Sequence, residues 1–247
     1  MGLKDDITNK VKSILDERFI TEDVYTVPDI SDSRLTFGNK GLQFDSTVLY
    51  IDMRGSTEVL NKHNNPVVAK IHMCYFHTIV KIANSLGGEV RSFNGDSMLV
   101  FFQGTTKGSL STAVRAAMQM KYMIATDDGG INKLLEKYTP IDFGIGLDYG
   151  KILCTKIGIG GDSNNKDLIW IGNAVNKSTV LSDLSKSPYH ISISSYVYNN
   201  LLDDVKYGVK KDLWGNETKV DMWTSESFLY NNQWETRYYT SWYWSIS

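Results

Sequence analysis

Two β-rich apolar runs meet at Asn94-Gly95 in the stretch EVRSFNGDSMLVFF, residues 89–102, and this junction constrains the fold more than any other feature. Asn-Gly favours a tight hairpin because both residues tolerate positive φ, so the flanking runs are expected to pair antiparallel. Helical patterns lie on both sides. Residues 66–88, PVVAKIHMCYFHTIVKIANSLGG, carry apolar side chains at helical spacing and stop at a glycine pair; SLSTAVRAAMQMKYMIA, 109–125, has the same spacing. The β-rich run STVLYIDM precedes the first helix, and PIDFGIGLDYGKILCTKIG follows the second. The order β-α-β-β-α-β is that of a ferredoxin-like sheet, which makes the fold class α+β.

Around this core the sequence predicts additions. PIDFGIGLDYGKILCTKIG reads as a strand pair broken near Tyr149-Gly150, NAVNKSTVLSDLS as a helix, and YHISISS and KVDMWTS as appended strands. MGLKDDITNKVKSILDERF reads as an amphipathic N-terminal helix. Residues 20–43 mix Pro, Gly, Asp and Ser without periodicity and read as an irregular arm. The C-terminal tail FLYNNQWETRYYTSWYWSIS holds four tyrosines and three tryptophans in a polar background, which suits a strand pair laid over the domain or over a partner. The expected division is 1–43 for helix and arm, 44–225 for the core domain, and 226–247 for the aromatic extension.

Lys plus Arg number 26 against 28 Asp plus Glu, so there is no global electrostatic footprint for nucleic acid or an anionic membrane. No run of about 18 apolar residues spans a bilayer. The charged N-terminus does not resemble a signal peptide, and Asp6 stands where a myristoylation signal wants Ser or Thr. The chain is expected to work in the cytoplasm. Cys74 and Cys154 lack metal or disulfide spacing and are expected to pack as small hydrophobes. His72 and His77 are five apart, not four, and read as packing or surface residues. The glycine-rich stretch from Ile157-Gly158 has no helix after it and reads as a flexible hairpin rather than a dinucleotide loop. Lys206, Lys210 and Lys211 read as a solvated face.

The chemistry concentrates on two acids. Asp52 ends the first strand of the core and Asp96 follows the hairpin turn. In a ferredoxin-like sheet the first strand neighbours the third, so these carboxylates are expected at one edge, where their repulsion favours a cation between them. Magnesium takes one or two carboxylates plus phosphate oxygens, which suits such a pair. After Asp52, the backbone N–H groups of Met53, Gly55 and Ser56 lead into a helix with the Thr57 hydroxyl beside them, a pattern fitted to phosphate oxygens.

VLYIDMRGST, FNGDSMLVFF and IGNAVN together resemble, in order and spacing, the class III nucleotidyl cyclase catalytic domain over residues 44–225. The resemblance implies a head-to-tail homodimer with sites at its interface. It also implies two Mg²⁺ or Mn²⁺ ions per site, and conversion of a nucleoside triphosphate to a 3′,5′-cyclic monophosphate and pyrophosphate. By the same resemblance Asp52 and Asp96 are metal ligands with the Met53 carbonyl, and Asn176 orients the ribose from the opposite protomer.

The chain departs from purine cyclases at the base. Ser92 stands where adenylate cyclases place a lysine, Ile169 where they place an acid, and Val180 where many members place an arginine. Arg54 is the candidate substitute for that arginine. Tyr50 lies two residues before Asp52 and, with strand period two, shares its face. Tyr50, Arg91 and Ser92 offer donors suited to uracil's carbonyl oxygens, and Ile169 removes an acceptor for an exocyclic amine. These departures resemble stand-alone bacterial pyrimidine cyclases of anti-phage signalling, whose product activates a separate effector protein. UTP is therefore the favoured substrate. The alternatives are CTP, a purine triphosphate, or a degenerate nucleotide-binding module, and core and solvated roles for Tyr50 and Arg91 remain open.

Overall fold

A computed structural model describes residues 2–126, 130–158 and 164–246. In chain order the elements are α1 (Leu3–Asp16), β1 (Ile20–Asp23), β2 (Lys40–Arg54), α2 (Ser56–Lys62), α3 (Asn65–Ser85), β3 (Glu89–Asn94) and β4 (Ser97–Gln103). Then follow α4 (Lys107–Ala125), α5 (Ile131–Leu134), β5 (Asp142–Gly158), β6 (Lys166–Ile171), α6 (Asn173–Asp183), β7 (Ile191–Ser194), α7 (Ser195–Asn199) and α8 (Asp203–Lys206). The chain ends with β8 (Tyr207–Lys211), β9 (Glu217–Asp221), β10 (Thr224–Tyr230) and β11 (Gln233–Thr240).

The main sheet runs β10-β11-β7-β5-β2-β4-β3, with β1 on β2 and β6 on β5; β8 and β9 form a separate pair. Within it, β5-β2-β4-β3 is the ferredoxin-like arrangement, and β2 lies centrally between β4 and β5 as the helix-and-strand order predicts. Strand period two sorts the side chains of β2. Leu49, Ile51 and Met53 pack with Ile71, Tyr75 and Ile79 of α3 and with Leu110, Val114 and Met118 of α4. Leu42, Phe44 and Val48 face the other way, toward Val24, Val27 and Leu35 of the arm and Ala174 of α6. The sheet is thus covered by α3 and α4 on one face and by α6 and the arm on the other.

Gly144 and Gly146 bring α6 down onto β5. A Cβ at Gly146 would stand 1.9 Å from the Ser178 carbonyl oxygen, and one at Gly144 would stand 2.3 Å from that of Ser182. Alternating glycines on one strand face are what such close backbone contact requires.

The structure corrects several expectations. The 140–158 run is one strand, because β5 pairs with β2 from Asp142–Arg54 to Thr155–Gly41 without a register break and the ladder carries Gly150 through. The hairpin turn is Gly95-Asp96, one residue later than expected: Asn94 pairs with Ser97, and Gly95 takes φ +63°. The irregular reading of 20–43 fails at both ends, where β1 pairs parallel with the start of β2. KVDMWTS divides between β9 and β10, separated by the buried Met222 and Trp223. The aromatic tail does form a strand pair, turning at Asn231-Asn232 with φ of 47° and 61°, but it widens the sheet through β7 instead of lying over it. Cys154 is buried whereas Cys74 is exposed on α3.

α1 buries none of its residues. Strands β5 and β6 pair antiparallel as a hairpin, and residues 159–163 of its connection, which include most of the glycine-rich stretch, lie outside the described residues. No helix among the described residues is long and apolar enough to cross a membrane.

Candidate active site

Asp52 reaches the sheet edge at the end of β2, opposite Ser97 on β4 and Gly144 on β5. Asp96 lies in the adjoining turn, so the β2–β4 pairing brings together two acids that are remote in sequence. Burial is the largest influence on the Asp52 carboxyl and raises its proton affinity; the Asp96 charge adds to this and Arg54 opposes it. Arg54 Nη1 donates to Asp52 Oδ2 at 2.8 Å and approaches Asp183 Oδ1 at 3.4 Å. Its Nη2 donates to the Ser182 carbonyl and its Nε to the Ser185 carbonyl at 3.3 Å. The guanidinium thus ties the carboxylate to the C-terminal end of α6.

Beyond the strand, Gly55 takes φ +69° and turns the chain into α2, which starts at Ser56 without a side-chain cap. The first N–H groups of a helix have no intrahelical acceptors, so the amides of Ser56 and Thr57 are available at this edge. Ser56 is half-buried and Thr57 exposed, while the Met53 side chain is in the core. Tyr50 lies one strand period behind Asp52. Burial raises the proton affinity of its phenol, with Asp52, Asp183 and Asp96 adding to the effect and a hydrogen bond from the Ser97 side opposing it.

The other residues singled out in the sequence divide into two groups. The register of β3 against β4 shifts between Val90 and Ser92, leaving Arg91 as the extra residue of a bulge. Ser92 thereby comes opposite Leu99, itself opposite Tyr50, so Ser92 and Tyr50 share a face. Arg91 is aimed at the arm, where Nε donates to Pro28 O at 2.9 Å and Nη2 to Val27 O at 3.4 Å, and Nη1 pairs with Glu89 at 2.9 Å. Ile169 is opposite Thr155, and Thr155 is opposite Gly41. From Gly144, beside Asp52, to Thr155 is a run of β5 roughly 36 Å long at 3.3 Å per residue. Asn176 is exposed near the start of α6, about 10 Å of helix rise from Asp183 at its end. Within one protomer, therefore, Ile169 and Asn176 are not at the Asp52 edge.

Sequence reasoning missed Asp183, which joins the acids around Arg54. Its one legible signal is the Gly144-Ile145-Gly146 spacing that seats α6.

The donor set fits a hard divalent cation: two carboxylates and the Met53 carbonyl are oxygen donors, and Asp96 already disfavours ionisation of Asp52. No cluster of three or more His, Cys, Asp or Glu suited to a metal forms among the described residues. Phosphate and water would complete the coordination.

This ferredoxin-like sheet, with its flanking helices, is the fold of solved nucleotidyl cyclases. The chain superposes on the guanylyl cyclase Cya2 with a TM-score of 0.63 and 20% identity, covering 81% of this chain and 92% of that one. On the adenylyl cyclase CyaB from P. aeruginosa the TM-score is 0.62 at 19% identity, with 81% and 95% covered. No protein-family model matches. In sequence the chain is 32% identical to a uridylate cyclase of Xanthomonas perforans over the whole of both chains. It is 30% identical to a uridylate cyclase of Burkholderia cepacia, covering 92% of this chain and 97% of the relative. The chain belongs to the uridylate cyclase family and is a nucleotidyl cyclase.

Proposed function

We propose that this chain converts UTP to 3′,5′-cyclic UMP and pyrophosphate at sites shared across a homodimer. The observation that carries the reading is the pair of Asp52, at the end of β2, and Asp96, in the turn that leads into the adjoining β4, in a chain with full-length relatives named uridylate cyclase. Asp52, Asp96 and the Met53 carbonyl hold two Mg²⁺ or Mn²⁺ ions. When bound, such ions supply Lewis acidity at the 3′-hydroxyl and around the α-phosphate. The amides of Gly55, Ser56 and Thr57 receive phosphate oxygens. Arg54 holds Asp52 in place, an assignment supported by its bond to Asp52 and by those that anchor it to the Ser182 carbonyl of α6 and the Ser185 carbonyl just beyond. Tyr50 and Ser92 stand on the face that receives the base, with Arg91 bordering it from the arm. Asn176 and Ile169 act on the partner's nucleotide, a reading supported by their distance from their own Asp52.

Residues 44–225 are the catalytic unit in this proposal, flanked by the N-terminal helix and arm and by the C-terminal extension. The enzyme is cytoplasmic, and its cyclic nucleotide activates a separate effector protein in anti-phage defence. The test is incubation of the purified chain with each of the four ribonucleoside triphosphates and Mn²⁺ or Mg²⁺, followed by product mass. Cyclic UMP as the main product is the expected outcome, and a different cyclic nucleotide would overturn the base assignment.

A further inference from the structure

The first turns of α6 are fastened from outside the helix. Gly172 at its N-cap supplies no side-chain bond, so the helix opens without the cap that a Ser, Thr, Asp or Asn would provide. The C-terminal hairpin holds this end instead. Tyr230 Oη of β10 donates to Asn173 Oδ1 at 2.7 Å. Lys177 Nζ donates to Glu235 Oε2 of β11 at 2.7 Å and lies 4.9 Å from the centre of the Tyr230 ring. The Lys177 side chain is 12% exposed and that of Glu235 28%, so water screens this ion pair less than an ordinary surface contact. Phe228 is opposite Glu235 in the β10–β11 ladder and Tyr230 lies two residues on, which puts all three side chains on one face of the hairpin. That face packs on Leu181 and Val180 of α6.

Asn173, Lys177 and Val180 follow one another at i, i+4 and i+7 and form one stripe of α6, the stripe that the hairpin covers. Asn176 is three residues after Asn173 and four before Val180, so it stands at the margin of the covered stripe, and it remains exposed. We propose that Tyr230 and Glu235 are positioning residues for Asn176, the C-terminal hairpin fixing the direction in which the first turns of α6 present that amide to the nucleotide. The inference rests on the reading of Asn176 as the residue that orients the ribose. Tyr230 and Glu235 act through Asn173 and Lys177 and do not themselves touch the nucleotide. Orientation of a reacting hydroxyl governs turnover, and a small displacement of the group that sets it costs rate before it costs binding.

The experiment measures steady-state cyclase kinetics of the full chain with UTP and Mn²⁺. Five proteins are compared: wild type, Asn176→Ala, Tyr230→Phe/Glu235→Ala, the triple variant that combines these changes, and Leu229→Ala on the opposite face of β10. The hairpin double variant is expected to lower kcat about tenfold or more with KM within about twofold of wild type. In the Asn176→Ala background the same two changes are expected to cost nothing further, because they act through a side chain already removed. Leu229→Ala is expected to match wild type. Tyr230→Phe alone keeps the ring and its packing, so it reports the same pattern at about threefold should the double variant fold poorly. Unchanged kcat in both hairpin variants while Asn176→Ala is impaired overturns the inference alone. So does a full further loss in the triple variant, which would make the hairpin's effect a general one on the fold, and so does an equal loss in Leu229→Ala. Unchanged kcat in Asn176→Ala overturns the ribose reading itself, and the inference with it.

Discussion

Asp52 holds its proton more tightly than an ordinary aspartate, first because it is half-buried and then because Asp96 is close. The fold as a whole disfavours its ionised form, even with Arg54 bonded to it. Removing it costs no apolar packing, so Asp52→Ala and Asp96→Ala are expected to lower cyclase turnover at least about 100-fold through loss of charge stabilisation by metal. Their thermal midpoints should stay within about 4 °C of wild type, the shift of roughly 1 kcal/mol in a chain of this size. Cyclase assays beside thermal melts check both; turnover above a few per cent of wild type counts against metal ligation. Strand period two made the shared face of Tyr50 and Asp52 legible. The direction of Arg91 was not, because it follows from a bulge that the pairing of β3 with β4 creates.

Lys121 ties three parts of the chain together. It projects from α4, is 5% exposed, and donates through Nζ to the carbonyls of Pro188 at 2.8 Å and Ser241 at 2.5 Å. Those carbonyls belong to the connection before β7 and to the segment after β11, so one ammonium fastens the C-terminal extension to the helical face. Burial lowers the Lys121 pKa to about 8. The unfolded chain, with an ordinary lysine pKa near 10.4, keeps its proton between these values while the folded chain releases it. Stability conferred by this position therefore rises with pH from about 8 to 10.4. Lys121→Met is expected to lack that rise, so denaturant unfolding should show wild type gaining on the variant across this window. A constant difference between the two would refute the assignment. The element itself was predictable from helical spacing, but not that one of its lysines is covered by two distant segments.

Placing Ile169 and Asn176 away from their own Asp52 makes a single protomer an incomplete site for a nucleotide held by all of them. A two-fold dimer of the kind proposed would repair this twice, because the same surfaces meet in both directions. Mixing Asp52→Ala with Asn176→Ala subunits should therefore regenerate one intact site per heterodimer. At equal mixing half the dimers are heterodimers with one working site of two, so activity is expected to recover to about one quarter of wild type. No recovery after demonstrated subunit exchange would show that both residues act within one protomer.

The sequence by itself determined the alternation of helix and strand, the position of β2 next to β4, and hence the meeting of Asp52 and Asp96. Those follow from periodicity and connection order, which are local properties of the chain. Only the tertiary structure decided the rest, because it depends on which surfaces touch. The β2–β5 ladder overrode Gly150 and made one long strand where local reading expected two. Gly144 and Gly146 admitted α6 until its Ser182 carbonyl met Arg54, whose guanidinium bonds Asp52 instead of standing free in the phosphate loop. The β3 bulge gave Arg91 to the arm and Ser92 to the face of Tyr50.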